Sequence, residues 1–157
     1  MPRLGERMVK FNGRRLEERG QALVEFAIGV PVLLLLLIGA VVFGVAFNNQ
    51  IALTFATGTG AQQLSISRGQ TSDPCKTTSA AVYAAAPYLT QSNLSFTIVL
   101  GGTSEVSGAT SPSCSSAALV QGETAQVSVS YPCNLKVLNY NPAPSCALSA
   151  QTSVYIQ

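Results

Sequence analysis

The feature that most constrains this chain is a run without a single charge between Glu25 and Arg68, strongly apolar in its first half. Within it, Ala27–Phe47 spans 21 residues, and about 20 helical residues cross the hydrocarbon core of a bilayer. The apolar core of a secretory signal is shorter, about 7–15 residues. The run therefore predicts a retained transmembrane helix at about residues 27–47 rather than a cleaved signal.

The few charges are concentrated at one end of the chain. Charged residues make up 10% of the sequence, whereas soluble domains carry roughly 25%. Residues 1–20 contain six basic and three acidic residues, and the remainder has a net charge of −1. The positive-inside rule then places the N-terminus in the cytoplasm and residues beyond 48 outside. Without a basic patch in the remainder, nucleic-acid binding has no electrostatic basis.

Three segments follow from this charge pattern. We expect a basic cytoplasmic leader at residues 1–20, one long helix at 21–67 and a small exported domain at 68–157. The helix is predicted to continue beyond the span and to pack on the domain, because apolar residues recur there with a 3.6-residue period. The recurring residues are Ile51, Phe55 and Leu64, with Ala52, Ala56 and Ala61 between them. A cation followed by glycine then ends the helix.

The exported segment has the pattern of an α+β domain. Ser79–Leu89 is alanine-rich and predicts a short helix that ends near a proline. Three segments have strand patterns, namely Leu94–Leu100, Thr124–Tyr131 and Leu148–Ile156. Gly101–Ser116 is rich in serine, glycine and threonine and predicts a surface loop. The expected fold is a long N-terminal helix followed by a short helix and about three antiparallel strands.

All four cysteines lie in the exported segment, which favours disulfides over free thiols in a small domain. Four cysteines allow three pairings. If the last two strands form an antiparallel hairpin, Cys133 and Cys146 lie at matching ends of it, so we favour Cys133–Cys146 together with Cys75–Cys114. The chain has no histidine and no C-x-x-C pair, so we expect no metal site.

Nothing in the sequence predicts catalysis. The commonest general base, histidine, is absent. The carboxylates of the exported segment, Asp73, Glu105 and Glu123, are scattered through predicted loops and form no evident pair. No glycine-rich phosphate loop precedes a helix. We therefore expect a protein that is not an enzyme and that needs no cofactor.

The junction between leader and span has a distinctive layout. The charged leader stops at Gly20, four uncharged residues follow, and Glu25 is the last charge before the span. If the chain is cut between Gly20 and Gln21, Glu25 becomes the fifth residue of the mature protein. Glycine suits such a cut because a peptidase must hold the scissile backbone extended, where a bulky side chain would clash.

These residues resemble the N-terminal segment of TadE-like proteins of the tight-adherence (Tad) pilus machinery, a branch of type IV pilus systems. The resemblance is carried by Gly20–Ala27, by Pro31 and by the leucine run Leu33–Leu37. It extends through the small-residue helix to about Arg68. Beyond that point only the pattern of a valine-rich strand, a loop and a final strand is similar.

The resemblance implies a pilin-like fold and a pseudopilin-like minor or accessory subunit. A prepilin peptidase would cut after Gly20. Glu25, next to Phe26, would be recognised by the peptidase or the inner-membrane assembly platform, or would pair with the new amino terminus of a neighbouring subunit. The partners implied are therefore the peptidase, the platform, membrane lipid, and other pilin or pseudopilin subunits through the N-terminal helix. The location implied is the bacterial inner membrane, as a single-pass protein with a periplasmic or extracellular domain, and the pilus itself after processing.

Other interpretations stay open at this point. The chain can be a major filament subunit, or a membrane-tethered binding module that keeps its leader. Glu25 can equally be a solvated carboxylate at headgroup depth. Gly39, Ala40 and Gly44 include a small-xxx-small pair that allows close helix contacts, although small residues are common in membrane spans.

Overall fold

The computed structural model describes residues 11–133, 135–136, 140–141 and 143–157. Side chains of the helical residues 11–19 lie outside this description. The main elements within these residues, in chain order, are α1 (Phe11–Ile66), α2 (Pro74–Ala85), β1 (Ser95–Leu100), β2 (Thr103–Ala109), β3 (Thr124–Pro132) and β4 (Ala147–Tyr155). The strands form one antiparallel sheet in the order β2-β1-β3-β4. The predicted pilin-like α+β class is thus confirmed.

The chain divides after Val41 into two compact units. The described part of the first unit is helix α1, which is assigned as helical across Pro31. From Gly20 onward its side chains are almost all exposed, including Leu33 at 58% and Leu36 at 68%. The helix contains an 18-residue window long and apolar enough to cross a membrane, and none of that window is buried within the chain.

The second unit, from Val42, contains the core. One buried cluster joins the last part of α1 to α2 and to the inward faces of β1 and β3. Strand β1 contributes Phe96, Ile98 and Leu100, and strand β3 contributes Ala125, Val127 and Val129. These residues alternate with partly exposed ones along each strand, as expected for a sheet with one packed face.

The buried face of α1 consists mostly of small residues. The buried residues are Ala52, Leu53, Ala56, Thr57, Gly60, Ala61, Leu64 and Ser65. Our prediction that Ile51 and Phe55 belong to the packing stripe is wrong, since they are 56% and 69% exposed. The helix packs instead mostly through small residues: a Cβ added at Gly60 would lie 2.5 Å from Val82 Cγ2 and 3.3 Å from the carbonyl oxygen of Thr78, both in α2.

Helix α2 begins earlier than the sequence pattern predicted. The side chain of Asp73 accepts a hydrogen bond from the backbone N–H of Lys76 at 3.0 Å, and Pro74 occupies the first turn. An aspartate cap followed by proline is a strong helix start. The helix ends at Ala85, because the residue before Pro87 is disfavoured in helical conformation.

A fourth strand lies where a loop was predicted. Strand β2 pairs with β1 through a two-residue turn at Gly101 and Gly102, whose φ angles are +54° and +85°. Positive φ at both positions is the requirement of a type I′ hairpin turn, and consecutive glycines meet it. The polar sequence of β2, in which Val106 alone is buried, hides the strand from a pattern search.

Candidate assembly and membrane-contact site

The predicted processing residues all lie on α1 and are exposed. Gln21 and Glu25 are four positions apart and therefore share one helix face. Phe26 beside them is 70% exposed. A Cβ added at Gly20 would meet nothing within 4 Å, so the packing of this chain does not require glycine at that position.

Among the described residues, nothing packs closely against the predicted helix-packing positions. A Cβ added at Gly39 or at Gly44 would meet nothing within 4 Å. Ala40 is exposed. These positions are therefore open to close approach by another helix, which is the property expected of a small-residue contact.

An exposed apolar stripe continues along α1 into the second unit, and sequence reasoning missed it. We call it the outer stripe; it consists of Phe43, Phe47, Ile51 and Phe55. The spacing of four residues places these side chains on one helix face. Phe55 is 69% exposed and follows Phe47 by eight residues, about 12 Å along the helix axis. The outer stripe therefore extends beyond the predicted span, where lipid tails do not cover it.

Two disulfides brace the second unit, in the pairing that the sequence favours. Cys75 in the first turn of α2 is bonded to Cys114, with a Cα–Cα distance of 5.4 Å. Cys133 is bonded to Cys146, with a Cα–Cα distance of 5.5 Å. The second bridge closes the loop at residues 133–146, which we call the β3–β4 loop, directly beyond the last residue pair of the β3–β4 ladder.

Asp73 is the best-connected carboxylate of the described residues. Besides capping α2, it accepts hydrogen bonds from Ser113 Oγ at 2.7 Å and from the backbone N–H of Cys114 at 3.1 Å. Partial burial alone would raise its pKa, but these hydrogen bonds and the charge of Lys76 outweigh burial and lower the pKa. The carboxylate thus holds the segment around Cys114 against α2, which is a structural role.

A cavity of about 430 Å³ lies beside Asp73, lined also by Lys76, Tyr83 and Ser113. The hydroxyl of Tyr83 donates to the backbone carbonyl of Thr110, and burial raises its pKa. Asp73, Tyr83 and Ser113 are therefore committed to holding the segment before Cys114 in place. Among the described residues no three His, Cys, Asp or Glu side chains are grouped as metal ligands.

A second cavity of about 270 Å³, which we call the loop groove, lies between α1 and the base of the β3–β4 loop. It is lined by Phe43, Ala46, Phe47, Gln50, Cys133, Leu135, Cys146 and Leu148. Its lining is almost entirely apolar. Gln50 is the exception, and its side-chain amide donates to the backbone carbonyl of Ser149 at 2.9 Å. Sequence reasoning could not find this groove, because its walls are about 90 residues apart in the chain.

Comparison with known families finds a match within helix α1. Residues 20–62 match the family model described as TadE-like protein. The match begins at Gly20 and runs through the predicted span of α1 into its packed part. No curated protein and no solved structure matches the chain significantly. The resemblance predicted from the sequence is thus confirmed over residues 20–62.

Proposed function

We propose that this chain, TadE-like over residues 20–62, is a pseudopilin-like minor or accessory subunit that a prepilin peptidase cuts after Gly20. The family match and the apolar helix indicate a membrane-anchored, Tad pilus-associated subunit of a structural rather than enzymatic family. The observation that carries the proposal is the outer stripe. Two residues of this stripe, Ile51 and Phe55, lie past the predicted span, where lipid tails do not reach. Both are exposed among the described residues, so we expect partner helices to cover them.

Removal of the leader would allow the helix to move outward from the bilayer. The leader carries six basic residues, and each charge brought to the centre of a bilayer costs about 2.5–3.5 kcal/mol on insertion scales. While the leader is attached, the helix cannot slide outward. Cleavage between Gly20 and Gln21 removes that barrier, and the family match that starts at Gly20 supports this position. The exported domain at residues 68–157 would then follow the helix into a fibre.

Glu25 has a clear use after cleavage. It is an exposed carboxylate at the edge of the apolar run, and burying it without a partner costs several kcal/mol. The new amino group of Gln21 on a neighbouring subunit would supply the missing positive charge. Pairing of this kind sets the axial register between helices, since only one stagger brings the two groups together.

The first experiment tests processing. The chain is co-expressed with a prepilin peptidase and analysed by intact mass and N-terminal sequencing, and we expect a mature chain that begins at Gln21. Gly20→Leu should block cleavage, whereas Gly29→Leu should not. The two variants are matched, because a Cβ at either glycine meets nothing within 4 Å. A wild-type chain that keeps Met1 beside an active peptidase would refute processing and favour the tethered module.

The second experiment tests assembly. We expect Glu25→Gln and Phe55→Ser to lower the amount of this subunit in sheared fibres while both proteins remain in the membrane. Tyr155→Ser is the control for Phe55→Ser, because Tyr155 is also exposed, at 71%, but lies outside the outer stripe. A chain that dominates wild-type fibres would be a major subunit instead. Unchanged incorporation of both variants would contradict the role assigned to the helix.

A further inference from the structure

We propose that the β3–β4 loop rests on the bilayer at the C-terminal end of the span and that the loop groove holds part of a phospholipid acyl chain. This contact would fix the exported domain against the membrane surface before assembly. The proposal goes beyond the pilus role, because it requires the span but neither cleavage nor partner subunits.

The depth of the groove is the first argument. One wall is formed by Phe43, Ala46 and Phe47, which are the last residues of the apolar run that ends at residue 47. The opposite wall includes Leu135 and Leu148. A cavity built on the final turns of a span lies at the depth where acyl chains meet headgroups.

The chemistry of the groove is the second argument. Among the described residues that line it, Gln50 has the one polar side chain, and this side chain already donates to a backbone carbonyl. Water bound in such a groove would lack hydrogen-bond partners, so an apolar occupant is favoured. The loop beside it presents Lys136 and Tyr140, both exposed, with Tyr140 at 72%. Lysine and tyrosine are residues that prefer the membrane interface, where an apolar body meets a polar environment.

The direction of β4 is the third argument, because it shows which end of the sheet faces the span. The side chain of Gln50 contacts Ser149 at the start of β4, and the backbone N–H of Gln157, just after β4, donates to the carbonyl of Ser65 at 2.9 Å. Residues 50 and 65 are about 22 Å apart along the helix. The β3–β4 loop therefore lies at the end near the span, and Tyr155 lies at the far end.

The size of the groove selects lipid over a second copy of this chain. A helix with its side chains is about 10–12 Å wide, which is too wide to enter a cavity of about 270 Å³. An acyl chain is narrower and is already present around the span. The occupant is therefore a lipid tail rather than a partner helix.

The test uses tryptophan fluorescence, since the chain contains no tryptophan. The full-length protein is reconstituted at high lipid excess with Tyr140→Trp or with the matched control Tyr155→Trp, whose parent tyrosines are 72% and 71% exposed. Phospholipids brominated in the upper acyl chain should quench the indole at position 140 several-fold more strongly than the indole at position 155. Adding Leu135→Asn to Tyr140→Trp should weaken this quenching, because it removes apolar lining from the groove.

Three results would overturn the proposal. The first is equal quenching at the two positions. The second is protection of the indole at position 140 from quenching that is lost when the protein is diluted with more lipid. That result would identify a second copy of the chain as the occupant. The third is quenching that is insensitive to Leu135→Asn. Each variant is first checked by mass for both disulfides. The measurement is made in the Gly20→Leu background, so that its outcome is independent of whether the leader is cleaved.

Discussion

The two parts of helix α1 use apolar residues in opposite ways. From Gly20 to Val41 the large side chains of leucine, valine and phenylalanine are mostly exposed. From Asn48 to Ile66 the buried face consists mainly of alanine, threonine and glycine, while Ile51 and Phe55 are exposed. The part with the greater apolar surface is thus the part that this chain does not bury.

This contrast shows that the apolar size of a residue does not by itself predict burial within this chain. In a lipid environment, packing between helices depends on close approach, and small residues permit it. The same small residues serve the packed part of α1, where Gly60 lies against Val82 and Thr78 of α2. The four predictions below test whether the two parts of the helix are energetically as separate as this contrast indicates.

The largest expected effect is loss of the Cys75–Cys114 bridge. The double substitution Cys75→Ala and Cys114→Ala should lower the free energy of unfolding of the second unit by about 4 kcal/mol, because a 39-residue loop is released. The helical signal of the span should persist through this unfolding transition. Urea titration of the detergent-solubilised chain measures both. The matching Cys133→Ala and Cys146→Ala pair, with a separation of 13 residues, should cost less, about 3 kcal/mol; the reverse order would contradict the loop-length argument.

The next effect compares two leucines on the same helix. Leu53→Ala should destabilise the second unit by about 3 kcal/mol, since Leu53 is fully buried and its truncation leaves a cavity. Leu35→Ala should change the same free energy by less than about 0.5 kcal/mol, since Leu35 is 66% exposed. Chemical denaturation of both variants under identical detergent conditions measures the difference. Equal effects would mean that the two parts of the helix unfold as one.

A smaller effect distinguishes two neighbouring glycines. Gly60→Ala should cost about 2 kcal/mol, because its methyl group would overlap Val82. Gly58→Ala should instead stabilise the protein by up to about 1 kcal/mol, since nothing lies within 4 Å of the new Cβ and alanine favours helix. Thermal unfolding of the two variants shows whether each substitution lowers or raises the stability. A stabilising Gly60→Ala would show that α1 and α2 do not approach as closely as described.

The smallest effect concerns the cap of α2 and depends on pH. Asp73→Ala should cost about 1 kcal/mol at neutral pH through loss of the cap. The pKa of Asp73 is lowered in the folded state, so its contribution is complete above the unfolded value of about 3.9 and is lost as pH falls through the lower folded value. The wild-type advantage over Asp73→Ala should therefore shrink in acid. Urea midpoints at several pH values measure this advantage. Ser113→Ala, which removes one of the three hydrogen bonds to Asp73, should be an intermediate case.

Local signals in the sequence were sufficient for part of the fold. The long helix, the short helix, β1, β3 and β4 each have a periodic pattern or a cap, and the hairpin argument led to the observed cysteine pairing. Strand β2 was missed because its signal is the turn at Gly101 and Gly102, not its polar residues. Consecutive glycines between two short segments are typical of a type I′ hairpin turn, and this signal predicts a strand on each side.

The rest depends on contacts between distant residues. The inward face of α1 could not be chosen from periodicity, because both faces carry apolar residues. The close approach of α2 at Gly60 is a contact between elements that the periodicity of α1 does not contain. The loop groove is lined by residues such as Phe47 and Leu135, which are far apart in the sequence. Of the candidate site, Gly20 and Glu25 were accessible to sequence reasoning because their layout is local, and their roles remain predictions.

The hydrogen bond from the side chain of Gln50 to the backbone carbonyl of Ser149 spans 99 positions. It can therefore form only late in the synthesis of these residues. At a synthesis rate of about 5–20 residues per second, the middle of the helix waits roughly 5–20 s for the final strand to emerge from the ribosome. During that interval the sheet that packs on its alanine and threonine face lacks strand β4. The core of the second unit is therefore completed only after β4 has emerged.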